Sequence, residues 1–333
     1  MKYRNLGKSN LQVSTLCVGT MMFGDQTSID EARRIVDDAQ EHGVNYIDTA
    51  DVYTKGASET MLGELLSGRR DRWVLATKLG NKMSDRPNEM HYSRSWMMRE
   101  IDASLARLRT DHTDILYLHR DFEGMSLEEP LRALDDMMRS GRIRYWGISN
   151  FRGWRIAECV RTAKEIGMPA PVVCQPYYNL LNRMPEVEIL PACDHFGIGV
   201  TPYSPIARGV LTGKYMPGQK PAEGSRVARG DKRIAETEFR DESLVIAQKL
   251  QEHAKAKGLT LAQFATAWVL AHRAVSSVIA GPRTLEQWQG YLAAVDAKLG
   301  DEDEALVDSF VRPGHPSTPG YNDPAYPLAK RTR

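Results

Sequence analysis

Short apolar runs alternate with longer amphipathic stretches along most of the chain. The runs fall at 15–19, 44–48, 73–78, 115–119, 145–149, 172–176, 199–203 and 277–280. Runs of this length between turn residues predict buried strands. The stretches between them carry helix signals. Residues 28–41 open on Ser28 with Glu31 three positions later, a capping-box pattern, and stop before Gly43. Residues 93–108 place Met97, Ile101, Leu105 and Leu108 at helical spacing. Residues 126–139 open on Ser126 with Glu129 following and stop before Gly141. Residues 152–166 carry Ile156, Val160 and Ile166 and end at Gly167. Eight such alternations predict an α/β chain folded as a (β/α)8 TIM barrel. Before the first run, 3–6 and 11–14 flank a turn at Gly7-Lys8-Ser9-Asn10. That is a hairpin, placed to cover the closed end of the barrel.

Two stretches break the rhythm. Between the seventh and eighth runs lies a Gly/Pro/Arg-rich segment at 204–230, then helix-like segments near 242–257 and 260–272. After a last helix near 302–311 the chain turns Pro-rich, and 313–333 reads as an extended tail. Long irregular segments in compact domains are usually functional. The expectation is one domain over 1–333, a long loop over a bound cofactor, and a C-terminal flap over the substrate mouth.

The ends of the apolar runs hold the chemistry. Asp48 closes the second run, with Tyr53 five residues on; Lys78 closes the third and His119 the fourth. Side chains at the carboxyl ends of barrel strands converge on one mouth. An acid, a phenol, an amine and an imidazole meeting there make a proton-transfer site.

Composition narrows the field. Formal net charge is +1, with 44 basic and 43 acidic residues, so no electrostatic case exists for nucleic acid or a membrane surface. The basic end, Lys330-Arg331-Thr332-Arg333, reads as a frayed terminus. No apolar stretch reaches the ~18 residues of a membrane span. The first residues lack an apolar signal core. Cys17, Cys159, Cys174 and Cys193 are widely spaced without a C-x-x-C pair, which favours reduced buried thiols, no metal and a cytoplasmic address. His119-Arg120-Asp121 opens like a kinase catalytic loop, but Ser126 stands where that loop needs asparagine.

Read in order, the motifs resemble the aldo-keto reductase family over about residues 3–295. They are 16–23 (LCVGTMMF), 45–50 (NYIDTA), Tyr53-Thr54-Lys55-Gly56 with Ser58-Glu59, and Ala76-Thr77-Lys78. Leu116-Tyr117-Leu118-His119, Gly147-Ile148-Ser149-Asn150, 175–180 (QPYYNL), Tyr203-Ser204-Pro205 and 209–215 (GVLTGKY) follow. The resemblance implies hydride transfer to the carbonyl of an aldehyde or ketone, or alcohol oxidation in reverse. Proton donation to the developing alkoxide falls to Tyr53. A free phenol, with pKa about 10, donates poorly near neutrality. A neighbouring ammonium lowers that value, so Lys78 tunes Tyr53, Asp48 holds Lys78, and His119 orients the substrate oxygen.

No G-x-G-x-x-G follows a strand, which argues against a Rossmann domain but not against a nicotinamide cofactor. The resemblance implies one lying across the barrel mouth near Gly19, Thr20, Met21 and Asp48. Ser149, Asn150 and Gln175 would bond the carboxamide, and Tyr203 would stack on the ring. Ser204, Ile206, Arg208, Gly209 and Lys214 would line the pyrophosphate. Gly281 and Arg283 match the family's 2′-phosphate site and Gln287 its adenine contacts, which favours NADP(H) over NAD(H). Gly290-Tyr291 stands where many members carry a second adenine-contacting pair. Substrate selection falls to the Met22-Phe23 side, 80–92, 120–122, 206–240 and the tail. Phe23, Trp96 and Phe122 suggest an apolar cleft for a bulky small-molecule carbonyl. Two other readings stand beside this one. One is a Schiff-base aldolase with Lys78 as nucleophile. The other is a cofactor-binding regulator resembling potassium-channel β subunits.

Overall fold

The computed structural model describes residues 1–122 and 124–326. The basic end at 330–333 therefore lies outside the described residues, as does the tail from 327. The opening hairpin forms as β1 (Tyr3–Asn5) and β2 (Gln12–Ser14), paired antiparallel. All eight apolar runs form strands: β3 (Leu16–Gly19), β4 (Tyr46–Asp48), β5 (Val74–Leu79), β6 (Thr113–Leu118), β7 (Ile143–Ser149), β8 (Val173–Gln175), β9 (Gly199–Val200) and β10 (Val278–Ala280). They are parallel and ordered β10-β3-β4-β5-β6-β7-β8-β9. The two ends of that order meet through Ser276 N–H to Val200 O at 2.8 Å and Ile279 N–H to Pro202 O at 3.0 Å. This is the (β/α)8 barrel.

The barrel interior is filled by Cys17, Tyr46, Ala76, Ile115, Tyr117 and Val173. Leu6 and Val13 of the hairpin segment pack into the same cluster, so the hairpin closes the bottom as expected. Burying each of those two side chains stabilises by roughly 1.5–3 kcal/mol. The interior hydroxyls of Tyr46 and Tyr117 bond each other at 2.7 Å, so neither is stranded in the core. Larger clusters fill the space between strands and helices. Trp146, Leu131 and Ile156 belong to one, and Ile35, Leu62 and Trp288 to another.

The expected helices form at Ile29–Glu41, Arg94–Leu108, Glu128–Arg139 and Gly153–Glu165. The two capping boxes do not close. The Ser28 hydroxyl accepts from Glu31 N–H at 3.3 Å, but the Glu31 carboxylate accepts from Leu285 N–H at 2.6 Å. Leu285 opens the helix Leu285–Leu292. Ser126 accepts from Glu128 N–H at 3.3 Å, the helix starts two residues later than expected, and the Glu129 carboxylate accepts from Arg94 N–H at 2.8 Å. In both cases a neighbouring helix start, with its unpaired N–H and positive dipole end, wins the carboxylate.

The long segment before β10 contains a short helix, Lys232–Glu236, and the two expected ones at Asp241–Ala256 and Leu261–Ala271. Past Asp301–Phe310 the tail is first stitched to the barrel. Arg183 N–H donates to His315 O at 3.1 Å and Ser317 N–H to Leu181 O at 2.9 Å. Among the described residues no helix is long and apolar enough to cross a membrane. The same residues hold no group of His, Cys, Asp or Glu fit for a metal.

Gly80, just past β5, has φ +117°, and a Cβ there would sit 2.1 Å from the Tyr92 ring. Tyr92 in turn clamps the backbone of Arg120, just past His119: its hydroxyl donates to Arg120 O at 2.6 Å and accepts from Arg120 N–H at 3.0 Å. Gly80→Ala is expected to cost roughly 3 kcal/mol through backbone strain and overpacking. A thermal melt checks this, and an unchanged midpoint would mean that the ring relocates freely.

Candidate active site

A cavity of about 430 Å³ opens at the carboxyl ends of the barrel strands. The register sets its floor: Gly19 lies opposite Asp48, Asp48 opposite Ala76 and Lys78 opposite Tyr117. Asp48, Tyr53 and His119 line the cavity, and so does every residue expected to bind cofactor, from Gly19 to Gln287. Lys78 lies beneath it, with a fully buried side chain.

Lys78 Nζ has three partners. It pairs with Asp48 Oδ1 and donates to Thr49 O at 2.7 Å and to Tyr53 Oη at 3.2 Å. The second Asp48 oxygen accepts from Gln175 Nε2 at 3.0 Å. Tyr53 reaches this spot because the turn Tyr53–Gly56 is left-handed, with φ +50° at Thr54, +53° at Lys55 and +90° at Gly56. The His119 ring stands edge-on to Tyr53, 6.0 Å between centroids.

Electrostatics refine the expectation for these groups. Burial works against the Lys78 charge, yet Asp48 and Tyr53 lift its pKa above the usual ammonium value. Burial raises Asp48, and Lys78 and Gln175 pull it back. Burial also raises Tyr53, and this outweighs the lowering by Lys78. The sequence-based expectation of a net-lowered phenol is therefore corrected: desolvation of the phenolate exceeds the pull of the ammonium. His119 is pushed well below its ordinary value by burial, then by Lys78 and Arg120. Its imidazole is neutral at pH 7, and its buried Nδ1 has no partner among the described residues.

The side of the cavity formed by β7–β9 is a hydrogen-bonded lattice. Ser149 Oγ donates to Gln175 O at 2.9 Å. Asn150 Nδ2 donates to His119 O and to Ser149 Oγ, both at 3.0 Å. Tyr203 Oη donates to Asn150 Oδ1 at 2.8 Å. Asn150 holds φ +60°, a left-handed conformation that asparagine tolerates better than most residues. Its amide joins three neighbours as well as facing the cavity.

Part of the cavity lining is cationic. Burial lowers the Lys214 pKa, and Arg283, Arg226 and Arg229 lower it further. Arg226, Arg229 and Arg233 line the cavity but were not singled out in the sequence. The arginine-rich composition of 204–230 was the available signal for Arg226 and Arg229; which arginines turn inward was not. Arg208 is different, because its Nε lies 3.3 Å from the buried Glu238 carboxylate and 3.2 Å from Thr237 Oγ1.

The expected substrate wall needs correction. Among the described residues Phe23, Trp96 and Phe122 do not line the cavity, nor do 80–92. Phe23 is fully buried in the core, Trp96 is 5% exposed on its helix, and Phe122 packs on His91 with ring centroids 4.4 Å apart. Met21, Met22, Ile206 and Tyr326 supply the apolar lining instead.

The chain matches the family model described as "Aldo/keto reductase family" over residues 15–312. It is 38% identical over 303 residues to a protein named probable voltage-gated potassium channel subunit beta from Arabidopsis thaliana, covering 89% of this chain and 92% of that one. A protein of the same name from Oryza sativa subsp. japonica is 35% identical over 322 residues, with 93% and 97% covered. The uncharacterized oxidoreductase YrpG from Bacillus subtilis (strain 168) is 34% identical over 333 residues, with 96% and 99% covered.

Because the folded His119 pKa is depressed, the unfolded chain binds a proton that the folded chain refuses. Stability is expected to fall as pH drops below about 6.5, by at most about 1.4 kcal/mol per pH unit, until the folded value is reached. Urea midpoints of wild type and His119→Gln from pH 7.5 down to 5.5 check this, with a shallower decline expected in the variant. Parallel curves would show that His119 is not the group concerned.

Proposed function

The chain belongs to the aldo/keto reductase family, an oxidoreductase family that works with nicotinamide cofactors, and on that premise we propose that it is an NADPH-dependent reductase of a small aldehyde or ketone. One observation carries the reading: a buried ammonium bonds at once to a carboxylate and to a phenol at the cavity floor. Tyr53 is the general acid. Its raised pKa keeps it protonated at neutral pH, and Lys78 stands ready to stabilise the phenolate left after transfer. Asp48, fixed by Gln175, keeps Lys78 charged and in place. Neutral His119 donates to the substrate oxygen and aligns it. A nicotinamide cofactor, when bound, would supply the hydride.

The cavity suits that cofactor. Lys214, Arg226, Arg229 and Arg283 share one side, and Lys214 and Arg226 are depressed by burial and by their cationic neighbours. Phosphates relieve that repulsion. Gly281 offers open backbone, where an added Cβ would meet nothing within 4 Å. Arg283 favours the 2′-phosphate form through its planar donor fork. Ser149, Asn150 and Gln175 would hold the carboxamide, Tyr203 would lie against the ring, and the tail would border the substrate side. The reading extends to one domain acting in the cytoplasm.

A Schiff-base role for Lys78 finds no support. Its three N–H groups all have acceptors and its pKa is raised, so no free amine lone pair is available near neutrality. A second reading is favoured by the two relatives named as potassium channel β subunits. On it, the chain docks on a channel and uses the same site as a cofactor sensor.

Tyr53→Phe is expected to lower turnover of a carbonyl panel about 10²–10⁴-fold while leaving NADPH binding, read by protein fluorescence, unchanged. Wild-type turnover that matches the variant would favour the sensor reading. Arg283→Ala is expected to weaken NADPH by about tenfold or more and NADH far less. Equal losses would remove Arg283 from 2′-phosphate recognition.

A further inference from the structure

The last described part of the tail, 321–326, leaves the outer layer and ends at the cavity. Three arginines, one from a short helix and two from loops past β6 and β7, hold it. Arg233, on Lys232–Glu236, grips Asp323 with both terminal nitrogens, Nη1 to Oδ1 at 3.0 Å and Nη2 to Oδ2 at 2.6 Å. Arg120, just past β6, donates to Ala325 O at 3.0 Å and stacks 5.1 Å from the centre of the Tyr326 ring. Arg152, just past β7, donates to Tyr326 O at 3.4 Å. Tyr321 adds a fourth tie, donating to Glu236 O at 3.1 Å while Arg240 lies 3.8 Å over its ring.

What this segment delivers is Tyr326, whose ring lines the cavity. Tyr326, Asp323 and Arg233 all act electrostatically on Tyr203, so the segment ends beside the β7–β9 side of the site. Arg233 lines the same cavity. One guanidinium thus joins the loop that covers the cofactor side to the wall on the substrate side. The pair is partly shielded, with side chains 31% and 14% exposed, and its geometry is a two-point fork. Such a pair is screened less and oriented better than an ordinary surface ion pair.

We propose that Asp323 is a positioning residue for substrate, on the carbonyl-reductase reading above. Its pairing with Arg233 seats Tyr326 as a wall of the substrate pocket. Arg120 and Arg152 hold the end of the segment from the barrel, and the Asp323 fork to Arg233 fixes its approach. Loss of the pair loosens the wall without touching Tyr53, Lys78 or the phosphate side.

Asp323→Asn is the discriminating variant. It loses the charge but keeps an oxygen able to accept from Ala325 N–H, a local bond of 2.9 Å in the native turn. Expected is a rise in substrate KM of about tenfold with kcat within about twofold, and an unchanged Kd for NADPH alone. Amide exchange at 321–326 should quicken in the same variant, measured without cofactor or substrate. Asp323→Ala should do no more than Asp323→Asn. The proposal is overturned if Asp323→Asn matches wild type while only Asp323→Ala shows the effects, since the local turn would then be responsible. It is also overturned if the NADPH Kd rises in step with KM. A wild-type enzyme that reduces no carbonyl sinks the functional reading, while the amide-exchange arm still judges the latch.

Discussion

The structure of the site depends on one buried cation. Removing an ammonium from water costs several kcal/mol, and only well-placed partners repay it. Lys78 finds them in the Asp48 carboxylate, the Thr49 carbonyl and the Tyr53 hydroxyl. All three lie within six residues of one another, on the end of β4 and the turn that follows it. Placing Lys78 on the neighbouring strand therefore fixes that whole segment. Breaking the pair from either side would leave an uncompensated buried charge, at a cost of about 3–5 kcal/mol. Chemistry and architecture are not separable here.

Strand alternation lets β5 anchor both faces of this segment. Lys78 turns inward. Thr77, its neighbour, turns outward and donates to Glu59 at 2.5 Å, on the helix Ala57–Leu65. Glu59 also takes Arg107 at 2.7 Å, and Arg107 reaches Glu100 at 2.5 Å. On the same helix Ser58 bonds Thr20 Oγ1 at 2.9 Å and Thr49 Oγ1 at 3.0 Å. The left-handed turn bearing Tyr53 is thus pinned between an inner and an outer polar network. A backbone conformation of that kind persists only where its surroundings over-determine it.

How much of this was legible follows from where each signal resides. Strand order and the floor residues were readable because a buried parallel strand announces itself locally, and its last residue faces the mouth by geometry alone. The helix start was readable at Ser28, which caps as its sequence suggests. The partners of Glu31 and Glu129 were not readable, because the competing donors are 254 and 35 residues away. The net shift of Tyr53 was missed for a related reason. Sequence names the neighbouring charge but not the depth at which it acts. Phe23, Trp96 and Phe122 misled because an aromatic near a strand end serves the core as readily as a pocket.

The cavity's division of charge shows the same limit from another side. A chain with formal net charge +1 gives no hint of a strong local field. Yet Lys214, Arg226, Arg229 and Arg283 are close enough to oppose one another, as the lowered Lys214 shows. At the floor the charges cancel within an ion pair, and the other groups, Tyr53 and His119, are neutral at pH 7. A ligand with an anionic half and a neutral half would be oriented by this contrast before any shape-specific contact forms. The strand ends fix the reacting groups to the barrel, and the irregular loop supplies most of the orienting field. Barrel packing constrains the first strongly and the second weakly, so the floor groups were legible at the strand ends, while the orienting field comes from segments that carry no periodic signal.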